Sequence, residues 1–133
     1  MKRIALAVLA ISVAGCANSA IDPQPNEVAM SAAQLNGTYV GTVNGSTGNC
    51  FRPQTTMRAR VNGTEVTGNW EGGMNYSTRL AGNGFRTELT ARRNDGSTYQ
   101  ITVRGRVQPG GQTMAAEFFS TTCTFSGTLA KQR

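Results

Sequence analysis

The chain has 133 residues, a length that suits one domain, with thirteen Lys and Arg against seven Asp and Glu and a formal net charge of +6. It contains no histidine. That removes the commonest general base and the commonest metal ligand, and it makes a Ser-His-Asp or Cys-His arrangement impossible.

The N-terminus begins with Lys2 and Arg3, followed by an apolar run from Ile4 to Ala14 that only Ser12 interrupts. The run is too short to span a bilayer, which needs roughly 20 apolar residues. A basic start, a short apolar core and small residues before a boundary describe an export signal. Here the boundary is Val13-Ala14-Gly15-Cys16. It resembles the lipobox of bacterial lipoproteins, with Val13 where leucine is usual.

The resemblance implies cleavage before Cys16 by a type II signal peptidase, so that residues 1–15 form a signal peptide. It also implies a diacylglycerol on the Cys16 thiol and an acylated new amine. Acyl chains contribute about 0.8 kcal/mol per buried methylene, so several of them make a durable membrane anchor. Ala17, not aspartate, follows the cysteine. In lipoproteins of this kind that implies sorting to the bacterial outer membrane.

Residues 16–34 then read as the lipidated cysteine and a flexible tether. The stretch holds Asp22-Pro23-Gln24-Pro25-Asn26 and has no strong hydrophobic period. Val28 to Leu35 has room for a helical turn or two. Beyond the anchor the chain keeps two cysteines, Cys50 and Cys123. An exported chain meets an oxidising compartment, which makes one disulfide the expectation. A metal site is the alternative, but two cysteines at this separation without histidine match no common zinc spacing.

From Leu35 onward the hydrophobic period is two, and residues 35–133 form the predicted β domain. The first strand is expected near Gly37–Val43, with Tyr39, Gly41 and Val43 on one face. The second lies near Thr55–Val61, where Met57, Ala59 and Val61 alternate with Arg58 and Arg60. Asn62-Gly63 is a hairpin signal. The third (Glu65–Trp70) and fourth (Met74–Leu80) place Val66, Gly68, Trp70 and then Met74, Tyr76, Leu80 on the same side. The fifth alternates Phe85, Thr87, Leu89 and Ala91 with Arg86, Glu88, Thr90 and Arg92. The sixth, near Thr98–Val107, sets Tyr99, Ile101, Val103, Gly105 and Val107 against Gln100, Thr102, Arg104 and Arg106. The seventh carries Met114, Ala116 and Phe118, and the eighth Cys123, Phe125, Gly127 and Leu129.

Clean alternation describes antiparallel strands with one buried and one wet side. The predicted class is therefore all-β: an up-and-down meander of about eight strands forming a small closed or nearly closed barrel, with a β-sandwich as the alternative. Cys50 follows the first strand and Cys123 opens the eighth. Joining them requires those two rims to meet, and the same arrangement pairs the first strand with the last. Inner glycines (Gly41, Gly68, Gly105, Gly127) suit a strongly coiled sheet and leave room for a pocket.

Chemistry-bearing residues are sparse. The acids Glu65, Glu71, Glu88 and Glu117 fall on outward or turn positions, away from the apolar context an acid catalyst needs. No enzymatic role, cofactor or metal is therefore expected. The domain carries ten arginines and one lysine against five acids. Arg58, Arg60, Arg86, Arg92, Arg104 and Arg106 read as basic stripes on the barrel exterior, suited to an acidic envelope polymer or protein. The alternative is a solvated surface that aids solubility. Nucleic acid is disfavoured, because the aromatics alternate inward and do not lie among the arginines as stacking platforms.

The opening Leu35-Asn36-Gly37-Thr38-Tyr39-Val40-Gly41-Thr42 and the ending Cys123-Thr124-Phe125-Ser126-Gly127-Thr128-Leu129 resemble small exported bacterial β proteins. The whole is loosely similar to lipocalin-like, avidin-like and bacterial protease-inhibitor barrels. Such a resemblance implies fold and leaves function to the site. The expectation is a non-enzymatic, lipid-anchored outer-membrane protein that binds or shields an acidic envelope component. A small-ligand barrel is an alternative. So is a protease inhibitor acting through Ala17–Ala33 or Gly45–Gln54.

Overall fold

The computed structural model describes residues 20–46 and 49–133. The expected signal peptide, the Val13–Cys16 motif and the lipidated Cys16 lie outside the described residues. The described chain runs α1 (Ala32–Leu35), β1 (Gly37–Gly45), β2 (Gln54–Asn62), β3 (Glu65–Trp70), β4 (Asn75–Arg79), β5 (Gly84–Arg92), β6 (Thr98–Val107), β7 (Thr113–Phe119) and β8 (Thr124–Lys131). All eight strands belong to one antiparallel sheet in the order β4-β3-β2-β1-β8-β7-β6-β5. This is the expected up-and-down barrel, nearly closed.

Closure comes from β1 and β8, which pair antiparallel from Tyr39↔Lys131 to Gly45↔Phe125. The discontinuity lies elsewhere. β4 and β5 follow one another in sequence and lie side by side, yet no strand ladder joins them, and the isolated bridge Ala81↔Gly84 lies in the connecting turn. Thr78 Oγ1 reaches the Arg86 carbonyl across this seam at 3.5 Å. The turn at Gly82-Asn83-Gly84 is thus not an ordinary hairpin. Asn83 is buried, and its amide faces the N-terminal segment: Nδ2 donates to the Val28 carbonyl (3.1 Å) and Oδ1 accepts from the Met30 N–H (3.3 Å).

The period-two pattern puts the apolar set inside. Tyr39, Val43, Met57, Ala59, Val66, Val103, Met114, Ala116 and Leu129 are fully buried. Each large apolar side chain so buried contributes about 1.5–3 kcal/mol. The inner glycines are not vacant space. A Cβ on Gly68 would overlap the Tyr76 phenol and the Arg58 carbonyl, and one on Gly105 would meet Phe85 at 2.7 Å. Both glycines let a neighbouring ring lie against the sheet, so the interior is filled by aromatics at those levels. Cys50 and Cys123 form the expected disulfide, with Cα atoms 5.2 Å apart. A bridge of this kind typically adds about 2–4 kcal/mol.

One end of the barrel is plugged. Ser31 caps α1 in a reciprocal capping box with Gln34. The last carbonyls of α1 find donors on the barrel: the Tyr39 phenol donates to Leu35 O (2.8 Å) and Lys131 Nζ to Gln34 O (2.7 Å). Leu35 itself joins the core. These contacts satisfy helix-end acceptors that water would otherwise take.

A flexible tether is the expectation for residues 16–34; in the structure residues 20–31 lie as a strap along the outer wall of β6, and 32–34 belong to α1. Arg106 Nε donates to Ile21 O (2.8 Å), and its Nη1 donates to both Glu27 carboxylate oxygens (2.7 and 2.8 Å). Arg104 bridges Asp22 (2.7 Å) and Glu117. Gln108 Nε2 donates to Ala20 O (3.2 Å). Ile21 is buried, and so are Thr102 and Arg106 on what alternation made the wet face. Prolines removed regular structure from this segment, but its two acids found the β6 arginines.

Two predictions follow from these contacts. Replacing Arg106 by Met leaves Glu27 without its partner, and removing one member of a buried pair costs about 3–5 kcal/mol. Because Glu27 keeps contact with solvent (24% exposed), the lower end is expected in urea unfolding, together with new proteolytic cleavage within residues 20–31. Parent-like stability and cleavage would show the strap to be unattached. The buried phenols set the second. Burial pushes the Tyr39 phenol up to about 12 and the Tyr76 phenol higher still, and the Tyr76 phenol also donates to Arg58 O at 2.7 Å. Below pH 10 both phenols are protonated whether folded or not. Above it the unfolded chain ionises first, so stability falls between pH 10 and about 12. Urea midpoints measured across that window should drop, and Tyr76→Phe should flatten the slope.

Candidate functional site

The strand directions put the loops between β1 and β2, β3 and β4, β5 and β6, and β7 and β8 at the end opposite α1. That end is open. It holds a cup of about 640 Å³, bounded by Phe51, Trp70, Gly72–Met74, Thr90–Arg92, Tyr99, Ile101, Phe118, Ser120, Cys123 and Phe125. The volume lies within the range of small-molecule sites, and the lining is mainly apolar with a few polar groups at the rim.

Aromatic rings build the floor. Phe118 stacks on Trp70 with centroids 4.2 Å apart and on Phe125 at 4.8 Å, each at an interplanar angle of 14°. Phe51 continues the series above Phe125 at 5.0 Å. Below, Trp70 meets Tyr76 at 6.4 Å, and Tyr76 meets Phe85 at 6.0 Å. Rings from β3, β4, β5, β7 and β8 therefore make one ladder from the packed interior to the open rim. Offset-stacked pairs of this kind are worth about 0.5–1.5 kcal/mol each beyond their burial. Phe51 ends the ladder with 57% of its surface exposed. The disulfide beside it ties the β1–β2 loop to the start of β8.

The rim is basic. Arg92 lines the cup at the end of β5. The Arg52 guanidinium lies 5.1 Å above the Phe51 ring and extends over Gly72. Arg93 lies 4.6 Å above the Tyr99 ring. Such cation–π contacts hold a guanidinium in place without neutralising it. Asp95, on the neighbouring turn, accepts from the Ser97 hydroxyl (2.6 Å) and N–H (2.8 Å). Those hydrogen bonds, helped by Arg93, hold its carboxyl below the usual range.

The six expected surface arginines separate into three groups. Arg104 and Arg106 are removed from the free surface by Asp22, Glu117 and Glu27. Burial opposes the Arg104 charge, but the Glu117 and Asp22 carboxylates more than offset it and keep the guanidinium above its ordinary range. Arg58 and Arg60 remain exposed on β2. Arg86 and Arg92 are exposed on β5, with Arg86 4.0 Å from Glu88. β2 and β5 are separated by β3, β4 and the seam in one direction and by β1, β8, β7 and β6 in the other. The stripes therefore do not form one basic face. Of the six, Arg92 alone lines the cup.

Sequence reasoning missed Phe51 and Arg52, which sit in a Gly/Ser/Asn-rich loop. Their signal was an aromatic and a cation beside a half-cystine. It also missed Asn83, Asp22 and Glu27, whose partners lie more than fifty residues away in sequence. Among the described residues, no group of three Cys, Asp or Glu is placed to hold a metal ion. A second cavity, about 390 Å³, lies between the strap and the β6–β7 turn, beside Arg106 and Pro109.

Fold and site together define a class: a small up-and-down β-barrel plugged at one end and open at the other through an aromatic cup. No protein-family model matches the chain, and no curated protein matches it significantly.

Gly73 controls the floor of the cup, because a Cβ there would overlap the Trp70 indole at Nε1 and Cδ1. Gly73→Ala should displace the ring, cost about 1–3 kcal/mol and red-shift the emission of Trp70, the only tryptophan of the chain. An unchanged emission maximum would show that the turn does not pin the indole.

Proposed function

We propose that this chain is a non-enzymatic, lipid-anchored envelope protein that binds a small apolar-bodied ligand in the mouth of its barrel. The observation that carries the reading is the cup of about 640 Å³, open to solvent and floored by Trp70, Phe118 and Phe125. A solvent-facing concavity of this size lined by aromatics retains free energy that a ligand can release by covering it.

The anchor half of the proposal rests on Val13-Ala14-Gly15-Cys16. The strap supports a definite orientation. Ala20 is held by Gln108 near the plugged end. Ala20 lies four residue steps from Cys16, and extended chain spans at most about 3.6 Å per residue. A lipid on Cys16 would therefore sit within about 15 Å of that attachment point, and the mouth would face away from the bilayer.

Contact of the outer wall with an acidic envelope polymer becomes the second reading. Arg58 and Arg60 favour it, being exposed and without a carboxylate partner among the described residues. An inhibitor loop within residues 20–33 is disfavoured, because the strap holds that stretch against the barrel.

Titration of the purified protein with the neutral fluorophore N-phenyl-1-naphthylamine tests the cup. Saturable, one-to-one binding that quenches Trp70 is expected, and Ala91→Phe, which fills the cup, should weaken it at least tenfold. Absence of saturable binding would overturn the reading. In the envelope, Cys16→Ser should release the protein into the soluble fraction, whereas persistent membrane retention would overturn the anchor.

A further inference from the structure

The cup has a chemical polarity that its aromatic floor does not explain. Apolar surface lies deep, at Trp70, Phe118 and Phe125. Cationic groups lie at the rim, on two different elements. Arg92 lines the mouth at the end of β5. Arg52 reaches from the β1–β2 loop across Phe51 to the β3–β4 turn at Gly72. Neither guanidinium has a carboxylate within salt-bridge distance among the described residues, in contrast to Arg86, Arg104 and Arg106. Arg93 stands behind them over Tyr99 and donates to Ser97 Oγ and Thr98 O.

The acids near this rim are Glu71, which precedes Gly72, and Asp95. The Asp95 carboxylate is occupied by Ser97. On β6 each arginine has a carboxylate partner, whereas among the described residues none pairs with Arg52 or Arg92 at the mouth. Thr90 and Ser120 add hydroxyls to the same rim.

We infer that the mouth selects amphipathic anions: ligands with an apolar body seated on the Trp70–Phe118–Phe125 floor and a carboxylate or equivalent oxyanion held at the rim by Arg92 and Arg52. The inference rests on the cup reading above and adds the sign and place of the ligand's charge. Arginine suits the role because its planar fork matches a carboxylate and keeps its charge at every accessible pH. A hydrogen bond to a charged group in a partly desolvated rim is worth roughly ten- to a hundredfold in affinity. Salt would erode it, because the rim remains in contact with solvent.

The test displaces bound N-phenyl-1-naphthylamine with pairs that share a carbon skeleton and differ in carrying an anionic or a neutral head: 2-naphthoate against 2-naphthalenemethanol, and decanoate against decanol. Each acid is expected to displace the probe at a concentration at least tenfold below that of its alcohol in low salt. Raising the salt to 0.5 M should shrink the advantage. Arg92→Gln should reduce it to about threefold or less, and the double change Arg52→Gln with Arg92→Gln should abolish it. Arg92 is exposed and Arg52 half-buried, so the variants should keep the parent's urea midpoint, and taking the acid-to-alcohol ratio within each variant cancels any change in its affinity for the probe.

Equal displacement by acid and alcohol overturns the inference and leaves the cup reading standing, as does an acid preference that survives the double change. Probe binding that none of the four compounds displaces also overturns it. Failure of the probe itself to bind defeats the cup reading on which the inference rests. The relative potency of naphthoate and decanoate then distinguishes a flat aromatic body from an acyl chain.

Discussion

Pairing between β1 and β8 is the contact on which the rest of the barrel depends. A meander of amphipathic strands leaves two unpaired edges and half-covers its apolar face unless its ends meet. Here they meet over Tyr39↔Lys131 to Gly45↔Phe125. That pairing brings the end of β1 and the start of β8 to one rim, where Cys50 and Cys123 join. The β7–β8 hairpin sets Phe125 beside Phe118, and closure brings Trp70 of β3 against Phe118 from the far side of the sheet, so the aromatic ladder is completed by closure. The ladder discontinuity falls between β4 and β5, where the two edges face each other within the wall. Those edges stay apart because the connecting turn is committed elsewhere: the Asn83 amide is paired with Val28 and Met30.

The two ends of the barrel have opposite fates for a physical reason. At one end the capped turn α1 inserts Leu35 into the core, and Tyr39 and Lys131 satisfy its final carbonyls. At the other end no element among the described residues covers the last rings of the ladder, and Phe51 stands half in solvent. The charges sort the same way. The strap's acids neutralise arginines on the wall near the plugged end, and the arginines at the mouth keep their charge available. Exposed aromatic surface and uncompensated cations therefore coincide at one place. That coincidence, more than the overall excess of arginine, is what a ligand would meet.

The strap shows how a buried ion pair acts in such a fold. Glu27 and Arg106 gain little net stability over a well-packed apolar pair, because both must shed water. Their geometry instead selects one path for residues 20–31 across β6. Asp22 with Arg104 and Ala20 with Gln108 align the segment along the same strand. A segment of low hydrophobicity with two prolines has few other means of finding a unique position.

The local pattern determined the strands. Period-two alternation with Asn-Gly and Gly-rich turns located all eight within a residue or two and assigned the inner face at every strand, because a half-buried antiparallel strand has no other way to satisfy both its sides. The disulfide was legible too, because the resemblance of Val13-Ala14-Gly15-Cys16 to a lipobox left Cys50 and Cys123 as the expected pair. Tertiary structure decided what depends on contacts between distant parts of the chain. It chose the barrel and put its seam between β4 and β5. It docked a proline-containing segment that composition alone described as flexible. It also withdrew Arg104 and Arg106 from the surface by supplying acids some eighty residues away, and among the described residues it left one end uncovered, so that Phe51 and Arg92 line a cup with Arg52 beside its rim. Alternation reports which face of a strand is wet or dry. Which end of a barrel stays open depends on what the loops and termini cover, and no local pattern carries that information.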